Sequence, residues 1–308
     1  MTRVARPLAG CIVNLSVSES SDSEQRGFPS WQVNRVTLQL VSALFGQGAG
    51  ILFGHDWRED GVMEAIYGFA RQVQPAIPPA PDNTAEPEPL LRNLLPWPDN
   101  PHLPERDLER LSATLRVESA GLPAELEGFD LEARAEPGGP LYRYVRARGL
   151  THLRHRLNDA SHGRLCLGGR KSGSAGRYPG VIEEALLALR SNKPLYLAAC
   201  LGGATEQVVA AIEGRDMGGD FCPPAPTDAL YATPPAAEHD HATSPDRLID
   251  RAAIWEEFRN AGPNKLVELN GLSLDENEEL LHTPVIDRII ELVLIGLSRV
   301  SASRDHNH

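Results

Sequence analysis

Residues 163–212 read GRLCLGGRKSGSAGRYPGVIEEALLALRSNKPLYLAACLGGATEQVVAAI, and the order of side-chain types along them decides the fold class. The run Arg164-Leu165-Cys166-Leu167 has the length and apolar content of a buried strand. A glycine-rich loop follows, then a helix pattern from Val181 to Arg190, a second apolar run from Leu195 to Ala199, the pair Gly202-Gly203, and a helix pattern through Val208 to Ile212. Strands and helices alternating at this spacing predict parallel strands, right-handed crossovers and helices on both faces. The expected class is therefore α/β, a doubly wound, Rossmann-like and mainly parallel sheet.

The same alternation extends towards the N-terminus. Residues 10–18 read as a strand buried on both faces, and Ser30 can cap a helix through Val33, Val36, Leu40, Val41 and Leu44 that stops at Gly46 and Gly48. A strand is expected from Ala49 to Phe53, followed by a helix that Asp60 caps and that carries Val62, Met63, Ile66, Tyr67 and Phe69. Prolines crowd residues 74–110, which excludes a regular helix there and suggests an insertion, with room for a brief strand around Leu94 to Trp97. Thr114 to Glu118 reads as a strand and Leu141 to Asn158 as a helix rich in Arg and His. Residues 215–247 read as a second irregular insertion. Two helices are expected to close the chain, one around Asp246 to Asn260 and one that Thr283 caps and Pro284 starts, within a helical extension of about 246–300. That last helix is apolar on nearly every side, so it belongs either in the core or at a subunit contact, and the final eight residues are expected to fray. The organisation expected is one domain over residues 1–308.

Composition narrows the function classes. A chain of 308 residues with 41% hydrophobic content can bury its own core, and four scattered cysteines with no Cys-x-x-Cys spacing argue against a disulfide framework. No signal-peptide pattern begins the chain and no apolar run reaches the roughly 20 residues a membrane span needs, so a cytoplasmic protein without a membrane partner is expected. The net charge of −12 disfavours a broad contact with nucleic acid, which rests on Lys and Arg displacing counterions.

In an open parallel sheet the ligand crevice lies beyond the carboxyl ends of the strands. Four such ends are candidates: Ser16 to Glu19, Gly54-His55-Asp56-Trp57-Arg58, Gly168-Gly169-Arg170-Lys171 and Cys200-Leu201-Gly202-Gly203. In the third, Gly168, Gly169, Gly176 and Gly180 allow the backbone to approach a ligand, while Arg170, Lys171 and Arg177 add cations and Pro179-Gly180 opens a helix whose free amides attract an anion. Composition leaves a phosphate cradle and a flexible surface loop both open. The loop has neither the Walker A pattern nor Gly-x-Gly-x-x-Gly with its downstream acid. Glu183 and Glu184 fall in the first helical turn, where carboxylates complement the helix dipole, and where one could equally hold a ribose or steady an oxocarbenium-like centre. His55 and Asp56 can face the crevice, or Asp56 can pair locally with Arg58; Ser16 can contact a ligand or belong to an ordinary turn. His239-Asp240-His241 lacks further ligands at metal-site spacing, so no metal is expected.

Two stretches carry a family resemblance. One is Leu167-Gly168-Gly169-Arg170, Gly173 and Gly176-Arg177-Tyr178-Pro179-Gly180-Val181-Ile182-Glu183-Glu184-Ala185-Leu186; the other is Lys193 to Leu197 with Gly202-Gly203-Ala204. Together they resemble the SLOG superfamily, which joins the Lonely-Guy phosphoribohydrolases, the Smf/DprA DNA-processing proteins and sensor domains beside TIR and sirtuin effectors. The Gly-Arg-x-Pro-Gly-x-x-Glu-Glu-Ala form is most similar to the TIR- and sirtuin-associated branch. That resemblance implies capture of an NAD-derived nucleotide such as ADP-ribose or its cyclic form, with no required cofactor, in antiviral defence. A homo-oligomer is expected, and because no TIR, sirtuin or transmembrane effector is fused in this sequence, any effector is expected on a separate polypeptide. Lonely-Guy enzymes carry Pro-Gly-Gly-x-Gly-Thr-x-x-Glu, whereas Val181 here follows Pro179-Gly180, which weakens a hydrolase reading. Were the chain an N-glycosidase, Glu183 and Arg177 would be its catalytic pair.

Overall fold

In the computed structural model, residues 6–20, 22–54, 63–73, 89–97, 114–126, 138–216, 221–234 and 245–305 are described. Their elements run β1 (Ile12–Ser18), α1 (Ser30–Gly46), β2 (Gly50–Gly54), α2 (Met63–Val73), β3 (Leu91–Leu95), β4 (Leu115–Ser119), α3 (Pro140–Asp159) and β5 (Gly163–Gly168). They continue with α4 (Gly180–Arg190), β6 (Leu195–Ala198), α5 (Gly203–Ile212), α6 (Asp228–Ala232), α7 (Arg251–Asn270), α8 (Leu274–His282) and α9 (Ile286–Asp305).

The six strands form one sheet in the order β4-β3-β2-β1-β5-β6, and every neighbouring pair is parallel. The doubly wound α/β class is therefore present. Side chains alternate between the faces. Val13, Ile51, Phe53, Leu165 and Leu167 pack with Val36, Leu40 and Leu44 of α1, Ile66 and Ala70 of α2 and Ile289, Leu292 and Val293 of α9. On the opposite face, Cys166, Leu195 and Leu197 meet α4, α5 and α7, while Leu52 and Leu94 meet Leu153 and Leu157 of α3. The last helix thus belongs to the core.

The chain builds β1 to β4 outward in one direction, then crosses back along α3 to lay β5 on the other side of β1. Strand order reverses between β1 and β5, which opens a crevice at their carboxyl ends. Both faces of β1 are covered as expected, but one of them is polar, since Asn14 and Ser16 are buried beneath the α3–α4 layer.

Several boundaries differ for physical reasons. β3 occupies Leu91–Leu95 rather than Leu94 to Trp97, which leaves Pro96 just beyond a strand that is paired on both sides. Proline within such a strand would remove a ladder donor. α7 does not stop near Asn260: it kinks at Gly262 and Pro263, and its second segment buries Leu266 and Leu269. α8 was not among the expected helices, although Ser273 and Glu276 form a reciprocal capping box at its start. α9 starts at Ile286 rather than Pro284 and persists to Asp305 through most of the segment expected to fray. No helix among the described residues is long and apolar enough to cross a membrane. His55, Asp56, Asp60 and His239-Asp240-His241 lie outside the described residues.

Candidate functional site

The crevice floor is backbone. Ser18 pairs with Gly168 at the ends of β1 and β5, and the Gly169 amide donates to the Ser18 carbonyl at 2.9 Å. From the adjacent strand end, the Ala204 amide donates to the Gly169 carbonyl at 2.8 Å and the Thr205 hydroxyl to the Gly168 carbonyl at 3.0 Å. Glycine is required at two of these positions. Gly168 has φ +65°, and a Cβ there would sit 2.2 Å from the Ser18 carbonyl oxygen; Gly203 has φ +70°, and its Cβ would sit 2.3 Å from the Gly169 carbonyl oxygen. Both positions combine a backbone conformation that L side chains avoid with a contact no atom tolerates.

Two helices begin at this floor. α4 starts at Gly180 behind Pro179 and has no side-chain cap, so its first amides carry the partial positive charge of the helix start without a capping acceptor. At α5 the Gly203 amide donates to Asp22 Oδ2 at 3.2 Å, and Lys171 Nζ lies 3.3 Å from the same oxygen. Burial pushes the Asp22 carboxyl up, but the Gly203 amide and Lys171 outweigh it and hold it below the usual carboxylate range.

Behind the α4 start lies a buried ionic layer. Glu183 accepts from the Thr151 hydroxyl at 2.8 Å and is paired with Arg154, both on α3. Glu184 accepts from the Ser16 hydroxyl and, at 2.9 Å, from Arg164 Nη1. The same Arg164 nitrogen also reaches Asn14 Oδ1 at 2.6 Å and Ser16 Oγ at 2.8 Å. Arg154 Nε stands 3.8 Å from Glu184 Oε1, which joins the two pairs. Burial works against the Arg154 charge, yet Glu183 and Glu184 raise its pKa above the ordinary value. Its guanidinium lies directly against Gly176 and Gly180, where added Cβ atoms would come within 2.6 and 3.1 Å. Buried charges are tolerable only when paired and hydrogen-bonded in this way.

Arg177 faces a different partner. It donates through Nη1 to Asp246 Oδ1 and through Nε to the Leu248 carbonyl, each at 2.7 Å, and its guanidinium stacks on the Tyr178 ring at 4.8 Å. The Tyr178 hydroxyl accepts from the Asp250 amide at 3.0 Å, so residues 246–250 are strapped onto the glycine-rich loop. His155 Nε2 stands 3.3 Å from Asp246 Oδ2, and that carboxylate raises the His155 pKa.

Of the residues singled out by sequence, the structure brings together Ser16, Gly168, Gly169, Gly176, Pro179, Gly180, Glu183, Glu184, Gly202 and Gly203 at one crevice. Lys171 borders it through Asp22, Arg170 is exposed, and Arg177 is held by the strap. Sequence reasoning missed Arg154, Thr151, Arg164, Asn14, Asp22 and Asp246. Arg164 left a signal, because a charged residue inside an apolar strand requires a buried partner. The Arg- and His-rich face of α3 was a second such signal.

The arrangement can receive an oxyanion at the α4 amides and orient a polyol against carboxylates that are already immobilised. Both carboxylates are committed to cations and hydroxyls, so neither is a free nucleophile. Comparison with known families returns a match over residues 7–280, which takes in all six strands, to a family model described as SLOG cluster2. No curated protein matches the chain.

Proposed function

The chain belongs to the SLOG cluster2 family, and from that premise we propose that it binds a phosphate-bearing, NAD-derived nucleotide of ADP-ribose or cyclic ADP-ribose type, as a sensor or carrier. The observation that carries the reading is the α4 N-terminus. It opens at the point where strand order reverses, has no side-chain cap and is backed by a buried arginine. In this reading the α4 amides and Lys171 hold phosphate, Glu184 and Ser16 face the ribose, and Arg177 exchanges Asp246 for a phosphate oxygen when ligand arrives. The resemblance to the TIR- and sirtuin-associated branch suggests antiviral defence, with the bound state relayed to a separate effector and with self-association of the chain.

One observation keeps an enzyme reading in play: Arg154 lies beside both Glu183 and Glu184, a cation–carboxylate set that also suits N-glycosidic cleavage. Thermal-shift and calorimetric titrations with ADP-ribose, cyclic ADP-ribose, NAD and AMP test the first reading, and chromatography of the same mixtures tests the second. Ligand at a hundredfold its Kd should stabilise the fold by about 2.7 kcal/mol through linkage. The binding reading fails if none of the four shifts the melting temperature. Release of free base would replace sensing by hydrolysis.

A further inference from the structure

Resting on the nucleotide-binding reading, we propose that the Tyr231 hydroxyl is a ligand contact, a donor to a phosphate oxygen received under the strapped loop beside Arg154 and Arg177. Tyr231 sits on α6, a short helix tied to the glycine-rich loop by the Thr227 hydroxyl, which donates to the Gly176 carbonyl at 2.9 Å. Its ring packs edge-on against Tyr144 of α3, with centroids 5.4 Å apart. The residue is only 6% exposed, yet its hydroxyl has no hydrogen-bond partner among the described residues.

A buried hydroxyl left unmade costs stability, so its retention calls for a use. The surroundings say what kind of group would satisfy it. Arg154 lies against Gly176, Arg148 donates to the Tyr144 hydroxyl at 3.2 Å, and Glu183, Arg148 and Arg177 are within electrostatic reach of the phenol. Burial, followed by the Glu183 charge, pushes the phenol far above its ordinary pKa, so it stays protonated and can donate. Guanidinium groups are donors only, and both Glu183 oxygens already accept from Thr151 and Arg154. A group that enters among these side chains must therefore be an acceptor, and beside several guanidinium groups an anionic one, which a phosphate oxygen is and a neutral base edge or an apolar moiety is not. Arg154, which lies against both Gly176 and the first residue of α4, Gly180, and interacts electrostatically with Tyr231, links this hydroxyl to the α4 start.

The test is Tyr231→Phe, which deletes the hydroxyl and keeps the ring. ADP-ribose affinity is measured by calorimetry for wild type and variant, together with the melting temperature of each without ligand. The expected result is binding weakened about ten- to a hundredfold, as for loss of a hydrogen bond to a charged group, with an unliganded melting temperature no lower than wild type. Equal affinity in the two proteins overturns the inference and leaves the nucleotide reading standing. A variant that melts several degrees lower also overturns it, since the hydroxyl would then be bonded within the fold. A wild type that binds none of the four nucleotides sinks both readings together.

Discussion

Replacing Arg154 by Met should cost about 3–5 kcal/mol of stability, because it strands the Glu183 carboxylate, only 3% exposed, with the Thr151 hydroxyl as its remaining partner. Methionine spans much of the arginine stem, so little of the loss comes from packing. Against a typical total of 5–15 kcal/mol, the variant would sit near the limit of folding. Glu183→Leu alone should cost less, since Glu184 still stands 3.8 Å from the Arg154 guanidinium. The double variant Arg154→Met/Glu183→Leu removes both charges and fills the space with apolar groups. It should therefore recover most of the loss, leaving a coupling energy of at least about 2 kcal/mol. Urea unfolding followed by the fluorescence of the chain's four tryptophans measures all four corners of the cycle. If the two single costs simply add in the double variant, the buried pair is not the unit that holds α3 to α4.

Two other outcomes follow from the same geometry. Asp246, 3.3 Å from His155, raises the His155 pKa, so the stability from this contact is fully present below the ordinary value of 6.5 and is lost as pH rises through the higher folded value. Melting temperatures from pH 6 to pH 8.5 should fall more steeply for wild type than for His155→Gln, and parallel curves would refute the contact. Burial pushes the thiols of Cys166 up to about 12 and of Cys200 and Cys222 up to about 11, whereas Cys11 is only half-buried. Native protein at pH 8 should therefore show one fast-reacting thiol of four with a disulfide reagent, and mass spectrometry locating that reaction at any of the other three would contradict the core packing.

The strand, loop and helix order of residues 163–212 was legible because each signal there is local. An apolar run of four to six residues, a cluster of glycines and a helical repeat depend only on neighbours in the chain, and β5, α4 and β6 stand within a few residues of their expected bounds. The same locality explains the misses. The helix expected to end near Asn260 continues past Pro263, because Leu266 and Leu269 find a core to enter. The α8 capping box was written in Ser273 and Glu276, but a helix only nine residues long shows little periodicity.

Sequence by itself determined the α/β class, the parallel sheet and the glycine-rich loop at a strand end, because side-chain pattern and glycine spacing carry these without knowledge of distant residues. Tertiary structure alone decided the order β4-β3-β2-β1-β5-β6, which puts the reversal of strand order between Ser18 and Gly168. It also decided charge pairing. Composition left Arg177 free to take any acid or anion, and the fold gives it Asp246, 69 residues away, as its partner, while Arg154 supplies the buried cation 29 residues before Glu183. Which cation meets which carboxylate depends on where α3 crosses the sheet and where the strap returns. Those distances are fixed only when the apolar faces of helices and strands have packed.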